Sequence, residues 1–191
     1  MEAIQTYKSK KNPNQVLEIF QDEAPLSPRE WDNIGIMLCA HRSYTLGDEQ
    51  FQTGEGIDAR IKELKPIVTI PLYLLDHSGL RIRTRDFTDC DPQQWDSGQV
   101  GYIITTEEKI KSMHGDTKLS DERVREILQS EVNEYDDYLS GNVFGYVLSE
   151  NKTCNLDEDH KEELDSCWGF IGDIKDCLSG TNINLEEFEE V

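Results

Sequence analysis

Ile67-Val68-Thr69-Ile70-Pro71-Leu72-Tyr73-Leu74-Leu75 leads into Asp76-His77-Ser78-Gly79 and then into Leu80-Arg81-Ile82-Arg83-Thr84. An aliphatic and β-branched run thus meets turn chemistry and a shorter run that alternates apolar with basic residues, the pattern of a β-hairpin with one face toward a core. The apolar run is too short to cross a bilayer. Further on, Trp95-Asp96-Ser97-Gly98-Gln99 turns the chain into Val100 to Thr105, a third strand, and Thr106-Glu107-Glu108 has the form of a helix cap with an acidic first turn. The segment from Pro66 to Thr106 therefore predicts antiparallel strands with helices attached.

Upstream, Met1 to Asn14 is polar and reads as a flexible lead or an edge hairpin before a short strand at Val16 to Gln21. Ser27-Pro28-Arg29-Glu30 is a capping box with proline at the first helical position, and Trp31, Ile34 and Leu38 continue at helical spacing, which predicts a helix ending near Cys39 to Ser43. Ile57, Ile61 and Leu64 mark a second short amphipathic helix that ends before Pro66. Arg85 to Gln94 is a long polar loop of the kind that more often carries function than not.

Downstream, Ser120 caps a helix whose Val124, Ile127, Leu128, Val132, Tyr135 and Leu139 form one stripe, with Gly141 at its end. Val143 to Ser149 reads as a strand, Asn151 to Glu163 as an acidic loop or short helix, and Cys167 to Ile171 as a buried aromatic segment. The expectation is a single α+β domain over residues 1–191, a small antiparallel sheet packed by amphipathic helices. Its strands come from the runs near Val16, Ile67, Leu80, Val100 and Val143, with a flexible lead (1–14) and a frayed acidic tail (181–191).

Charge narrows the function. Lys and Arg total 19 against 39 Asp and Glu, a net charge of −20 that opposes direct binding to nucleic acid or to an anionic membrane. Through Gly115 there are 18 acids and 13 bases; from Asp116 onward there are 21 acids and 6 bases, so three quarters of the net charge lies in the last two fifths of the chain. That asymmetry points to a localised acidic face for a basic protein or nucleoprotein partner. Glu126, Glu131, Glu134, Asp136 and Asp137 on the Ser120-capped helix, with Asp157, Glu158, Asp159, Glu162 and Glu163 beyond it, are the candidate partner-binding residues. Rows of carboxylates on a folded scaffold can stand in for backbone phosphates in a cationic groove.

The five cysteines, Cys39, Cys90, Cys154, Cys167 and Cys177, are odd in number, form no Cys-x-x-Cys pair and follow no apolar leader. Reduced thiols in a cytoplasm, with no disulfide framework and no zinc site, are expected. Asp76, His77 and Asp96, with His41 and Asp48 elsewhere in the chain, could supply the imidazole and carboxylates of an acid–base or metal site. Asp and Ser before Gly are ordinary turn formers, so both stretches read first as turns. No metal or cofactor is called for by any spacing in the chain.

Two resemblances add to this. Ser166-Cys167-Trp168-Gly169-Phe170 is similar to the Ser-Cys-Trp-Ala-Phe segment of papain-like cysteine peptidases, which implies Cys167 as a nucleophile near a helix start with His77 as its base. More broadly, Glu18-Ile19-Phe20-Gln21-Asp22-Glu23, Ser27-Pro28-Arg29-Glu30-Trp31-Asp32-Asn33, Asp76-His77-Ser78-Gly79, Trp95-Asp96-Ser97-Gly98-Gln99-Val100-Gly101 and Cys167-Trp168-Gly169-Phe170 resemble a family of uncharacterised proteins of bacteriophages and mobile genetic elements. The resemblance implies a genetic setting and no reaction. Together with the acidic surface it leads to an expected function: binding and inhibiting a host nucleic-acid-handling defence complex, of restriction or CRISPR type. The alternatives are a small hydrolase using His77 with Asp76 and Asp96 or with Cys167, and a virion or assembly component.

Overall fold

The computed structural model describes residues 2–115, 118–153 and 159–191. In chain order the elements are β1 (Gln5–Ser9), β2 (Gln15–Gln21), β3 (Ile36–Ala40), β4 (Glu49–Phe51), α1 (Gly54–Leu64), β5 (Val68–Asp76), β6 (Leu80–Arg83) and β7 (Ser97–Thr105). They continue with α2 (Glu107–His114), α3 (Asp121–Leu139), β8 (Val143–Thr153), β9 (Asp159–Ile171), α4 (Ile174–Ser179) and β10 (Phe188–Glu190). The fold is α+β, as the sequence predicts, but its strands form two five-stranded, mostly antiparallel sheets and not one small sheet. The runs near Val16 and Val143 enter one sheet, and those near Ile67, Leu80 and Val100 enter the other. Each sheet belongs to its own compact unit, one made of Met1–Leu26 with Gly141–Val191, the other of Ser27–Ser140. No helix among the described residues is long and apolar enough to cross a membrane.

In the Ser27–Ser140 unit the strand order is β4-β3-β7-β5-β6. The β5–β6 hairpin turns through Ser78 (φ 57°) and Gly79 (φ 141°), a left-handed pair of positions that the Ser-Gly sequence suits. Pro71 lies where β5 pairs with β7 but not with β6, whose pairing starts at Tyr73, so its missing N–H breaks no ladder bond between β5 and β6. Helices cover both faces. Met37, Cys39, Leu72 and Ile103 join the stripe Val124, Leu128, Val132 and Tyr135 of α3, while Leu38 and Ile104 pack with Ile57 of α1.

This double burial explains a correction. The helix expected from Pro28 to Cys39 is a single 3-10 turn at Pro28–Glu30 followed by β3. Ser27 Oγ accepts from Arg29 N at 3.2 Å, so the cap is real, but Asn33 Nδ2 donates to Pro28 O and Trp31 O and ends the turn. Beyond it, a strand buried on both faces shows no alternation and is a continuous apolar run, which helical spacing fits by coincidence.

In the other unit the order is β10-β1-β2-β8-β9. The polar lead thus contains β1, and the acidic end contains β10 paired against it, Tyr7 opposite Glu190. Leu17, Ile19, Tyr146, Leu178 and Ile183 form the core. The segment Asn151 to Glu163, expected as an acidic loop or short helix, instead supplies the ends of β8 and β9; Cys154, Asp157 and Glu158 lie outside the described residues. Two register shifts interrupt the β8–β9 ladder, at Phe144/Tyr146 and Leu148/Ser149. Gly169, at φ 84°, sits in the first. There Trp168 packs over Gly145, where a Cβ would meet its ring at 2.2 Å, and its ring centroid is 5.9 Å from that of Phe20.

Gly101 of β7 is the tightest backbone approach in the Ser27–Ser140 sheet: a Cβ there would sit 1.9 Å from Leu38 O. Gly98, three residues earlier on the same strand, has open space around it. Gly101→Ala is expected to lower stability to urea by about 3 kcal/mol or more by pushing β3 away, and Gly98→Ala by less than about 1 kcal/mol; paired denaturation curves decide.

Candidate functional site

Helix α3 carries the first group of candidate residues. Ser120 Oγ accepts from Arg123 N at 3.2 Å and caps it as predicted. Among its acids, Glu131 is not on the solvent face: it is buried at 8% exposure. Its carboxylate accepts from Ile34 N at 2.8 Å, from Gly35 N at 3.1 Å and from Arg29 Nη1 at 3.1 Å. Arg29 donates to Asp48 Oδ2 at 2.7 Å and to Gly35 O at 2.8 Å, and Asp48 Oδ2 accepts from Met37 N at 2.6 Å. Burial works to lower the Arg29 pKa, but the bonds and charges of Asp48 and then Glu131 outweigh it and hold the guanidinium charged.

Asp136 is likewise engaged, accepting from Arg81 Nη2 at 2.7 Å and from Ile82 N at 2.7 Å, which ties β6 to the helix. The α3 acids on the exposed side are Asp121, Glu122 and Glu126, the last 2.9 Å from Arg123. Glu134 and Asp137 are half-buried, and burial, then the charge of Glu131, raises the pKa of Glu134. Glu131→Ala should cost about 3–5 kcal/mol of unfolding free energy, because it leaves two backbone N–H groups unpaired and takes one of the two carboxylates from a buried guanidinium, which keeps Asp48. Glu126→Ala should stay within about 0.5 kcal/mol. Equal losses in urea denaturation would contradict this division.

Asp76 and Asp96 come together at the rim of the Ser27–Ser140 sheet, where they line an open cleft of about 410 Å³ with His41, Arg42, Trp95 and Gln99. His77, on the hairpin turn, holds Asp96 from outside that lining, with Nδ1 2.8 Å from Oδ2 and 68% of its side chain exposed. Tyr44 Oη donates to Asp76 Oδ1 at 3.3 Å and stacks on the His41 ring at 5.0 Å. His41 Nδ1 accepts from Ser43 N and Tyr44 N, which leaves the ring proton on Nε2.

The long loop positions the cleft's outer wall. Asp91 accepts from Trp95 N at 3.2 Å, Asp96 N at 3.1 Å and Ser97 Oγ at 2.7 Å. Arg83 bonds Asp89 and lies over the Phe87 ring at 3.8 Å. Hydrogen bonds lower the carboxyl pKa of all three loop acids, through Thr88 for Asp86, Arg83 for Asp89 and Ser97 for Asp91. A depressed folded-state value means that stabilisation is complete above the ordinary aspartate pKa of about 3.9 and is lost as pH falls through the folded values. Asp91→Asn is expected to flatten the decline of the thermal midpoint below about pH 4, measured by circular dichroism from pH 5 to pH 2.

Chemically, the cleft offers two carboxylates, Asp76 and Asp96, the second of them held by His77 from outside the lining. The Ser97 hydroxyl in its lining donates to Asp91, and the Tyr44 hydroxyl donates to Asp76. Cys167 belongs to the other unit and lies exposed within β9. It is not at a helix start, so the expected activation by a helix N-terminus has no basis here, and the segment Cys167 to Ile171 is not fully buried either, Trp168 being 40% exposed. Among the described residues no group of His, Cys, Asp or Glu could hold a metal ion. Gln99 lies in the same short stretch as Asp96, whereas Arg42 in the lining and Tyr44, bonded to Asp76, are far from both aspartates in sequence and were not legible as part of the site.

The remaining candidates lie on the outer strand β9. His160 to Asp165 are exposed there apart from the terminal Asp159, whose side chain is not described. Glu162 bonds Lys152, which lowers its pKa, Glu163 accepts from Ser166 Oγ at 2.6 Å, and Lys161 bonds Glu18. Residues 141–191 hold 13 acids and 3 bases.

Fold and charge thus define an acidic α+β protein of two sheets. No family model matches the chain, and neither a curated protein nor a solved structure is similar to it.

Proposed function

We propose that this protein is a non-catalytic binder of a basic protein or nucleoprotein surface, and that its target is a nucleic-acid-handling defence complex of a host cell. The observation that carries the reading is the outer strand β9, which presents Glu162 and Glu163 to solvent within a segment of 13 acids and 3 bases. An outer strand has an unpaired backbone edge, and carboxylates along it favour a partner segment rich in Lys and Arg. The phage and mobile-element setting that the motifs imply supports a counter-defence role, with the acids standing in for phosphates.

The test is a pull-down from host lysate with the full chain and with a Glu162→Gln, Glu163→Gln double variant, which removes charge without touching the buried Glu131 network. A nucleic-acid-binding complex should be recovered at low salt, released at high salt or by added duplex DNA, and recovered several-fold less by the variant. Recovery that is insensitive to both salt and the substitutions would refute the reading. The hydrolase reading rests on a specific observation, the His77–Asp96 pair beside Asp76, and places its chemistry in the cleft of the other unit.

A further inference from the structure

Trp95 is 86% exposed, the most exposed large apolar side chain of the chain's described residues, and it lines the 410 Å³ cleft with Asp76 and Asp96. Neither the turn geometry nor the acidic strand uses it. An indole held at the mouth of a polar cleft is a flat stacking platform with a donor at its edge. Its backbone is fixed, because Asp91 accepts from the N–H of Trp95 and from that of Asp96.

The groups beside it select the ligand. Asp76 and Asp96 accept hydrogen bonds; Arg42, the Gln99 amide and the Nε2–H of His41 donate. Two carboxylates repel a phosphate, and a guanidinium on the same wall opposes a lone cation. A ligand that needs donors and acceptors side by side, together with an apolar face for the indole, is a sugar ring: each hydroxyl both donates and accepts, and the C–H face stacks. The volume is at the small end of the range for ligand pockets, and the cleft is open, so one or two rings of a longer chain fit. His77 on Asp96 and Tyr44 on Asp76 hold both carboxylates in place before any ligand arrives. We infer that this cleft binds a neutral saccharide, stacked on Trp95 and hydrogen-bonded by Asp76 and Asp96.

The site lies in the unit that does not carry β9, so its test is independent of the pull-down. The labelled full chain would be applied to a printed array of defined glycans, and the best neutral oligosaccharide titrated while the Trp95 indole resonance is followed by NMR. Expected are retention of neutral glycans, a shift of that resonance, and a loss of about tenfold or more in affinity for Trp95→Ala and for Asp96→Ala, with the Trp95→Ala thermal midpoint unchanged. Retention of no neutral glycan, retention of sulfated or sialylated glycans alone, or wild-type affinity in Trp95→Ala would overturn the inference. So would an arginine-rich peptide that moves the Trp95 resonance when no neutral sugar does, an outcome that would assign the cleft to the basic partner.

Discussion

The carboxylate of Glu131 is the constraint on which residues 27–140 depend. The chain must leave the 3-10 turn at Pro28–Glu30 and enter a strand buried on both faces, and at that bend the N–H groups of Ile34 and Gly35 have no strand to bond. Glu131 takes both, and Thr105 Oγ1 donates to the carbonyl of Ile34 at 2.7 Å. The negative charge so introduced would be prohibitive without Arg29, and Arg29 in turn is divided between Glu131 and Asp48. Asp48 closes the circuit by accepting from Met37 N, inside β3. Gly35 is required for close approach: a Cβ there would lie 2.5 Å from Glu131 Oε2. One helix is thereby registered against the sheet through charge and hydrogen bonds that fit a single arrangement, while the apolar stripe around them supplies the burial.

The same network changes what the net charge means. Acids that satisfy backbone donors or buried guanidinium groups, such as Glu131, Asp48 and Asp136, cannot also serve a partner. Asp91 is spent on the loop in the same way. In the unit of residues 1–26 and 141–191, by contrast, Glu162 and Glu18 are held by exposed lysines. Exposed ion pairs contribute little to stability and exchange readily, so a basic partner can displace those lysines at small cost. By sequence the smaller unit has 17 acids and 6 bases, against 22 acids and 13 bases in residues 27–140.

Much of this was legible where the signal is local. The cap at Ser120, the stripe of α3, the short helix α1 and the turn at Ser78-Gly79 follow from side-chain types at fixed spacing, and each is found where the residues place it. The failures have a common cause in tertiary context. β3 lost its alternation because both its faces are covered, and the chance spacing of Trp31, Ile34 and Leu38 then imitated a helix. Asn151 to Glu163 has too few apolar residues to announce a strand, because β9 is an outer strand with a solvated face. The division into two sheets depends on which runs pair, and register between segments far apart in sequence leaves no local mark. For the cleft, Asp76, His77 and Asp96 were readable as candidates and do come together, with Gln99 carried by the same stretch as Asp96, whereas the donor Arg42 arrives from the segment after β3. Glu131 looked like one acid among several on a polar face, and only its position, one residue before Val132 on the stripe, hinted otherwise.

The secondary structure of the acidic segment matters for what it can bind. On a strand, successive side chains point to opposite faces, so Glu162 and Glu163 set one carboxylate on each side of β9 and not one stripe along a cylinder. The register shift at Leu148/Ser149 makes Leu164 the extra residue between Glu163 and Asp165, and Leu164 is 44% exposed. Asp165 accepts from the Tyr146 hydroxyl at 2.8 Å, so it anchors the ladder, and the carboxylates beyond the bulge, Glu162 and Glu163, are those left facing outward. Two copies of such an edge brought together would place like charges side by side, which discourages self-association, the usual hazard of a long outer strand. A basic segment meets no such repulsion. The acids that set two such edges against each other are thus the same acids that, on the proposed reading, would favour a cationic segment.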